Sequence, residues 1–234
     1  MMLKTLQVQN LSLKLNDKIL LDDIQFELEQ GTVTALVGHN GAGKSTLMKA
    51  ILAVMEKTTG KIIINEQIDQ DSEFLSFKQQ ISYLPEEPLL LTELTVMQHF
   101  QLYGKSYQIK EDVLNRKVDR LVKGFDLVDK LNEYPESLSK GMRQKVQTIC
   151  AMLPDVPLML IDEPFMGLDI YAIDYFEELL KEKLKDGTTL LLTTHQLDRV
   201  KDIAGFFILL QQGKLLSKGS IEEFDTIKRG TDNE

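Results

Sequence analysis

Residues 38 to 46, Gly38-His39-Asn40-Gly41-Ala42-Gly43-Lys44-Ser45-Thr46, satisfy the pattern G-x-x-x-x-G-K-[ST]. The run Thr32-Val33-Thr34-Ala35-Leu36-Val37 ahead of them reads as a strand, and a helix is expected from Lys44 to about Met55. A strand feeding a glycine-rich loop and then a helix commits this part of the chain to an α/β core with its phosphate site at the strand end. The glycines let the backbone turn tightly enough for several N–H groups to point inward at phosphate oxygens, and the helix presents its positive end there. Lys44 is expected to reach the β- and γ-phosphates of a nucleoside triphosphate, and Ser45 to ligate magnesium. An ordinary glycine-rich turn would require neither Lys nor Ser at those two positions.

Leu158-Met159-Leu160-Ile161 followed by Asp162 and Glu163 has the form of a buried parallel strand that ends in polar groups, at the edge where open α/β sheets bind ligands. Asp162 can hold magnesium directly or through water, and Glu163 can orient or deprotonate an attacking water. Alone, the pair would read as a solvated strand end; a phosphate loop in the same chain decides against that. Leu138-Ser139-Lys140-Gly141-Met142 opens an amphipathic segment running to about Leu153, for which Ser139 suits the N-cap.

These residues together resemble the ATP-binding cassette (ABC) ATPases. Ser-x-Gly ahead of such a helix, followed by an apolar strand ending Asp162-Glu163-Pro164, is similar to their signature motif, which most members write Leu-Ser-Gly-Gly-Gln. This chain keeps Leu138, Ser139 and Gly141 and has Lys140 and Met142 at the other two places. Phe165-Met166-Gly167-Leu168-Asp169 resembles the D-loop, with Asp169 as its acidic residue. His195, which closes the apolar run Thr189 to Thr194, is similar to the switch histidine. Of the other two histidines, His39 occupies a variable place in the phosphate loop and His99 falls in a helical pattern.

Two landmarks depart from the family pattern. Ile81-Ser82-Tyr83-Leu84-Pro85-Glu86 stands where the family has its Q-loop, but position 86 is Glu, not Gln. A carboxylate still ligates magnesium, and it adds negative charge near the γ-phosphate. The family also stacks adenine on an aromatic residue in the early strand-turn-strand region, where alignment by Leu21-Asp22-Asp23-Ile24 places Leu15. Base–aromatic stacking is worth about 1–3 kcal/mol, so its loss is expected to weaken ATP binding by about 5- to 150-fold and to leave base selectivity open.

The resemblance covers roughly residues 3 to 220. It implies a P-loop NTPase (RecA-like) α/β core, formed by residues 1–86 and 154–220 with an N-terminal antiparallel β-subdomain. A helical signature subdomain is expected over 87–153, and a C-terminal helix and tail over 221–234. It also implies ATP and Mg2+ as cofactors, with Ser45, Asp162 and Glu86 around the metal. Glu163 would be the general base, and His195 would keep γ-phosphate and water in register. A second ATPase subunit, expected to be another copy of this chain, would offer Ser139 and Gly141 to the γ-phosphate of the facing nucleotide, with Asp169 linking the two sites. The finer pattern Tyr83-Leu84-Pro85-Glu86-Glu87-Pro88 together with Ser139-Lys140-Gly141-Met142 looks like the Ecs-type ATPases of Gram-positive bacteria. That likeness implies a peptide-exporter motor that drives a separate permease docked around Glu86 to Phe100, peripheral on the inner face of the cell membrane.

Charge and composition limit the alternatives. A net charge of −9 argues against a large nucleic-acid surface, which would need clustered Lys and Arg. The single cysteine, Cys150, permits no disulfide framework and lies in an apolar helical stretch. No apolar run approaches the roughly 18–20 residues that span a bilayer, and the start alternates like a strand instead of forming a signal-peptide block. A soluble ABC ATPase acting on DNA or ribosomes would usually carry a coiled-coil insert or a second cassette. A non-hydrolysing nucleotide-binding regulator would not need Lys44, Asp162, Glu163 and His195 together. Alternating residues from Leu3 to Leu15 and at Ile24, Phe26 and Leu28 are expected to form antiparallel strands, joined by Ile62-Ile63-Ile64-Asn65-Glu66-Gln67. Phe206 to Leu210 and Lys214 to Leu216 are expected as a hairpin, followed by a capping box of Ser220 with Glu223.

Overall fold

The computed structural model describes residues 3–194 and 203–224. His195 and the tail after 224 lie outside the described residues. Two strands, β1 (Lys4–Leu15) and β2 (Lys18–Glu29), form an antiparallel hairpin closed by Asn16 and Asp17. Both turn residues have positive φ, 48° and 63°, the mirror-image turn whose twist matches paired strands. β3 (Val33–Val37) runs into the phosphate loop and α1 (Lys44–Ile51) leaves it. β4 (Thr59–Ile64), the short β5 (Ile68–Asp69) and α2 (Phe74–Lys78) lead to β6 (Ile81–Leu84).

The helical insert follows as α3 (Val96–Ser106), α4 (Glu111–Gly124) and α5 (Lys140–Met152). Thr95 and Gln98 start α3 with a reciprocal capping box. The chain then returns through β7 (Leu158–Asp162), α6 (Ile170–Lys185), β8 (Thr189–Thr193), β9 (Phe206–Gln211) and β10 (Lys214–Ser220).

One sheet has the order β2-β1-β4-β5 and is antiparallel; the other runs β10-β9-β3-β8-β7-β6. Strands β9, β3, β8, β7 and β6 are parallel, and β10 is an antiparallel edge. Both faces of the parallel strands are covered, which explains their unbroken apolar runs. Because side chains alternate along a strand, Leu36, Leu158, Leu160 and Leu191 face the core shared with the antiparallel sheet. Ala35, Met159, Ile161, Leu190 and Leu192 face the helical insert and α6, among Phe100, Phe125 and Phe176. Cys150 is fully buried on that side, and burial pushes its thiol pKa up, so it is a core residue and not a reactive thiol.

Three elements depart from the expected boundaries. Strand β4 ends at Ile64 instead of running to Gln67, because Asn65 and Glu66 turn at positive φ, 52° and 58°. Helix α1 stops at Ile51 instead of near Met55, because Ala53 turns into the left-handed region (φ 51°) and Lys49 O accepts the N–H groups of Val54 and Met55 at 2.9 and 3.2 Å. Its open carbonyls are taken by distant side chains: Gln70 Nε2 donates to Ala50 O and Ile51 O, and Lys78 Nζ to Leu52 O at 2.6 Å. Strand β10 continues to Ser220, past the expected Leu216, along its pairing with β9.

At the far end of α5, Asp155 joins the insert to the core. It accepts from Lys117 of α4 at 2.6 Å and from Lys183 of α6 at 2.8 Å. The same ammonium groups donate to Leu153 O and Pro154 O at 2.8 and 2.7 Å. Beside them Arg120 Nη2 of α4 donates to both carboxylate oxygens of Glu182 of α6, at 2.6 and 2.7 Å.

Candidate functional site

The phosphate loop sits between β3 and α1 with its backbone already turned inward. Gly38 has φ 153°, and a Cβ there would lie 2.4 Å from Leu210 O, so only glycine fits at the loop entrance. Lys44 is buried, with Nζ donating to Gly38 O at 2.7 Å and to His39 O at 3.3 Å. Its ammonium is thus held over the loop that would cradle the phosphates. The loop is braced from β9–β10, since Gly213 N–H donates to Ala42 O at 2.9 Å while Ala42 N–H closes on His39 O.

Asn40, Gly41, Gly43, Lys44, Ser45 and Thr46 line one wall of a cleft of about 750 Å³. Three carboxylates, Glu86 after β6 and Asp162 and Glu163 at the end of β7, line the wall beside it. The opposite flank is formed by Lys18, Ile19 and Leu20 of β2 and by the Gln212–Gly213 turn. The expected base-contact position, Leu15, stands at the β1–β2 turn, 52% exposed, and is not among the cleft-lining residues.

Sequence reasoning missed Thr193. Parallel pairing of β7 with β8 sets Thr193 opposite Asp162. Its hydroxyl donates to Asp162 Oδ1 at 2.5 Å and accepts the Glu163 N–H at 3.1 Å. One buried hydroxyl therefore orients both acidic residues. The signal was a polar residue closing an otherwise apolar strand, and it takes meaning only once the register is known. Glu163 itself has φ 50°, a left-handed backbone that costs a non-glycine residue about 1–3 kcal/mol. Burial, and after it the Asp162 and Glu86 carboxylates, push the Tyr83 phenol up to about 12, so it stays protonated beside them.

These groups suit a triphosphate with magnesium. Ser45 and Asp162 would hold the ion, with Glu86 within the same cleft. Among the described residues no three His, Cys, Asp or Glu side chains converge into a metal cage. That donor set fits magnesium, which is commonly bound through one or two carboxylates, phosphate oxygens and its own waters.

Ser139, Gly141 and Asp169 form a second group away from the cleft. Ser139 caps α5, accepting Met142 N–H at 3.2 Å. A Cβ on Gly141 would lie 3.0 Å from Gly167 O, so the first turn of α5 packs on the loop that leads to Asp169. Asp169 caps α6 through Ala172 N–H at 3.0 Å and pairs with Lys145 of α5 at 2.7 Å. The Lys145 ammonium, and after it the Ala172 N–H, hold the Asp169 carboxyl below the usual carboxylate range. Lys140 reaches back to Glu87 at 3.0 Å, pairing the substituted signature position with the residue after Glu86. His99, expected to be structural, is buried: its ring meets Thr95 O at 2.8 Å and accepts Leu91 N–H at 2.9 Å.

A family model described as ABC transporter matches residues 21–166. The ABC-type transporter ATP-binding protein EcsA of Bacillus subtilis (strain 168) is 36% identical over 204 residues, 87% of this chain and 82% of that protein. The SkfA peptide export ATP-binding protein SkfE of the same organism is 29% identical over 223 residues, 95% of this chain and 92% of its own length. A solved structure described as an ATP binding subunit of an ABC transporter has a TM-score of 0.90 at 36% identity, covering 97% of this chain and 93% of that one.

Proposed function

Because the chain belongs to the ABC transporter family of ATP-binding subunits, we propose that two copies of it close around two ATP molecules and drive a separate membrane permease on the export side. The observation that carries the reading is the division of the site into two groups. The cleft holds the phosphate loop and the carboxylates, whereas Ser139, Gly141 and Asp169 stand apart from it around the α5 N-terminus. A helix N-terminus favours an anion by about 0.3–1 kcal/mol when exposed and up to ~2 when partly buried. A facing copy would bring that terminus to the γ-phosphate and complete the site.

In this reading Lys44 and the loop N–H groups bind the β- and γ-phosphates, and Glu163 takes a proton from the attacking water. The new bond forms between water oxygen and γ-phosphorus, the β–γ bridging bond breaks, and ADP and inorganic phosphate leave. Magnesium, when bound, neutralises charge on the phosphate oxygens. Thr193 keeps Asp162 and Glu163 in place, and His195 is assigned to hold the γ-phosphate in register.

Docking of a permease beside Glu86 to Phe100 is supported by the exposed side chains of Leu89, Leu91 and Leu102. Their backbone is held in position, with Leu89 N–H donating to Gln147 Oε1 at 3.0 Å and Leu91 N–H to His99. Among the described residues no helix is long and apolar enough to cross a membrane, so the chain would be peripheral on the inner face through that permease. Export is supported by the name of the SkfE relative.

Glu163→Gln tests the whole assignment. It should retain ATP, lose hydrolysis by about 10²- to 10⁴-fold and accumulate as a dimer. A purely monomeric elution at saturating ATP and magnesium would refute the paired arrangement.

A further inference from the structure

Residues 166 to 171 bring three large apolar side chains to the surface beside the acidic end of β7: Met166 is 44% exposed, Ile170 55% and Tyr171 82%. The loop carrying the first of them is held on two sides. Met166 N–H donates to Glu163 O at 3.2 Å, and Gly167, at φ 76°, lies against α5, where a Cβ on it would meet Gln144 at 3.8 Å. Met166 therefore stands between the proposed general base and the first turn of α5, with its side chain open to solvent. Every other described methionine is buried or packed against one of the two cores. The chain's single thiol, Cys150, is fully buried and kept protonated by that burial, so an oxidant in solution meets the Met166 thioether instead.

We propose that Met166 is an oxidation site that governs pairing: hydrogen peroxide converts its thioether to the sulfoxide, and the sulfoxide keeps two copies of the chain from closing on ATP. The proposal rests on the paired arrangement proposed above. In the reaction a sulfur lone pair takes one peroxide oxygen, the O–O bond breaks and water leaves, so sulfur is oxidised by two electrons and peroxide is reduced by two. A dithiol-dependent reductase reverses the step, the oxygen leaving as water while the dithiol closes to a disulfide. The effect on pairing follows from where the side chain sits. A facing copy that brings its phosphate cleft to Ser139 and Gly141 also covers the 166–171 surface, because Gly167 O packs on that same turn, 3.0 Å from where a Cβ on Gly141 would lie. An apolar thioether enters such a contact readily. A sulfoxide carries a strong dipole that must be stripped of water with no donor fixed to meet it.

The test treats the full Glu163→Gln chain with graded hydrogen peroxide, maps oxidised methionines by peptide mass, and measures pairing in ATP and magnesium by sedimentation. Met166 should gain its oxygen before any other described methionine, and pairing should weaken by about tenfold in step with it. Binding of a fluorescent ATP analogue, at concentrations where the chain is single, should stay unchanged and so report an intact fold and cleft. Methionine sulfoxide reductase with a dithiol should restore pairing. Met166→Leu should make pairing indifferent to peroxide, and Met166→Gln should weaken it with no peroxide present. Oxidation of Met166 that leaves pairing unchanged overturns the proposal, as does peroxide sensitivity that persists in Met166→Leu. A chain that never pairs, oxidised or not, refutes the paired arrangement itself, and the role of Met166 with it.

Discussion

Replacing Thr193 with valine removes one hydroxyl from between β7 and β8 and keeps the β-branched shape that a strand favours. Two buried hydrogen bonds are lost, one to the Asp162 carboxylate at 2.5 Å and one from Glu163 N–H at 3.1 Å. A hydrogen bond to a charged group contributes about 1.5–3 kcal/mol, and an orphaned buried N–H costs about 1–3. Asp162 faces the cleft and recovers part of its loss from water, so the low ends apply and the net destabilisation is about 2–3 kcal/mol. For a domain of this size that lowers Tm by about 4–12 °C. Well below Tm, the variant should hydrolyse ATP about 10- to 100-fold more slowly and need more magnesium for half-maximal rate, since a partner orienting the proposed metal ligand Asp162 has been removed. Thr193→Ser keeps the hydroxyl and should restore both kcat and the magnesium requirement. Steady-state hydrolysis across a magnesium titration, with thermal denaturation alongside, reads all of this. Unchanged kcat in Thr193→Val, or a serine variant as impaired as the valine one, would show that the hydroxyl does not position the acidic pair.

Two further outcomes concern the fold. Gly60 has φ 96°, and a Cβ there would lie 2.6 Å from Gln9 O, Asn10 O and Leu11 Cα, all backbone atoms that cannot swing aside. Gly60→Ala should therefore cost at least about 2 kcal/mol and lower the urea midpoint, and a wild-type midpoint would contradict the close crossing of β1 and β4. The depressed pKa of Asp169, caused first by Lys145 and then by Ala172 N–H, means that its contribution is present above its unfolded value, about 3.9. That contribution disappears as pH falls below this towards the folded value. Asp169→Asn should flatten the acid limb of a stability profile below about pH 4, by a small amount because the carboxylate is half exposed. Identical acid limbs would remove the ion pair with Lys145 from the account.

Local chemistry made much of this molecule legible. The glycine spacing of residues 38 to 46, the apolar run ending at Asp162 and the serine cap at 139 each carry their own geometry, and β3, β7 and α5 start within a residue of expectation. What stayed hidden depends on partners distant in sequence. The early end of α1 is set by Ala53 in a conformation that alanine seldom adopts and by Gln70 and Lys78, which reach back to its last carbonyls. Thr193 gains its role only from the β7–β8 register, and Lys145 its role only from the approach of α6 to α5. Leu15 stands directly across the two-residue Asn16–Asp17 turn from Lys18, which lines the cleft, a placement that only the hairpin register reveals.

The junction at Asp155 gives the helical insert a fixed point at the far end of α5. With two ammonium groups on a single carboxylate and on the Leu153 and Pro154 carbonyls that follow α5, displacement there is opposed, and a tilt of α5 about that point would grow with distance from it. Helix α5 is about 20 Å long at 1.5 Å per residue, so a tilt of about 10° would carry Ser139 by about 3 Å, roughly the length of a hydrogen bond. In the proposed pairing, a displacement of that size would make or break contact between Ser139 and an opposing phosphate.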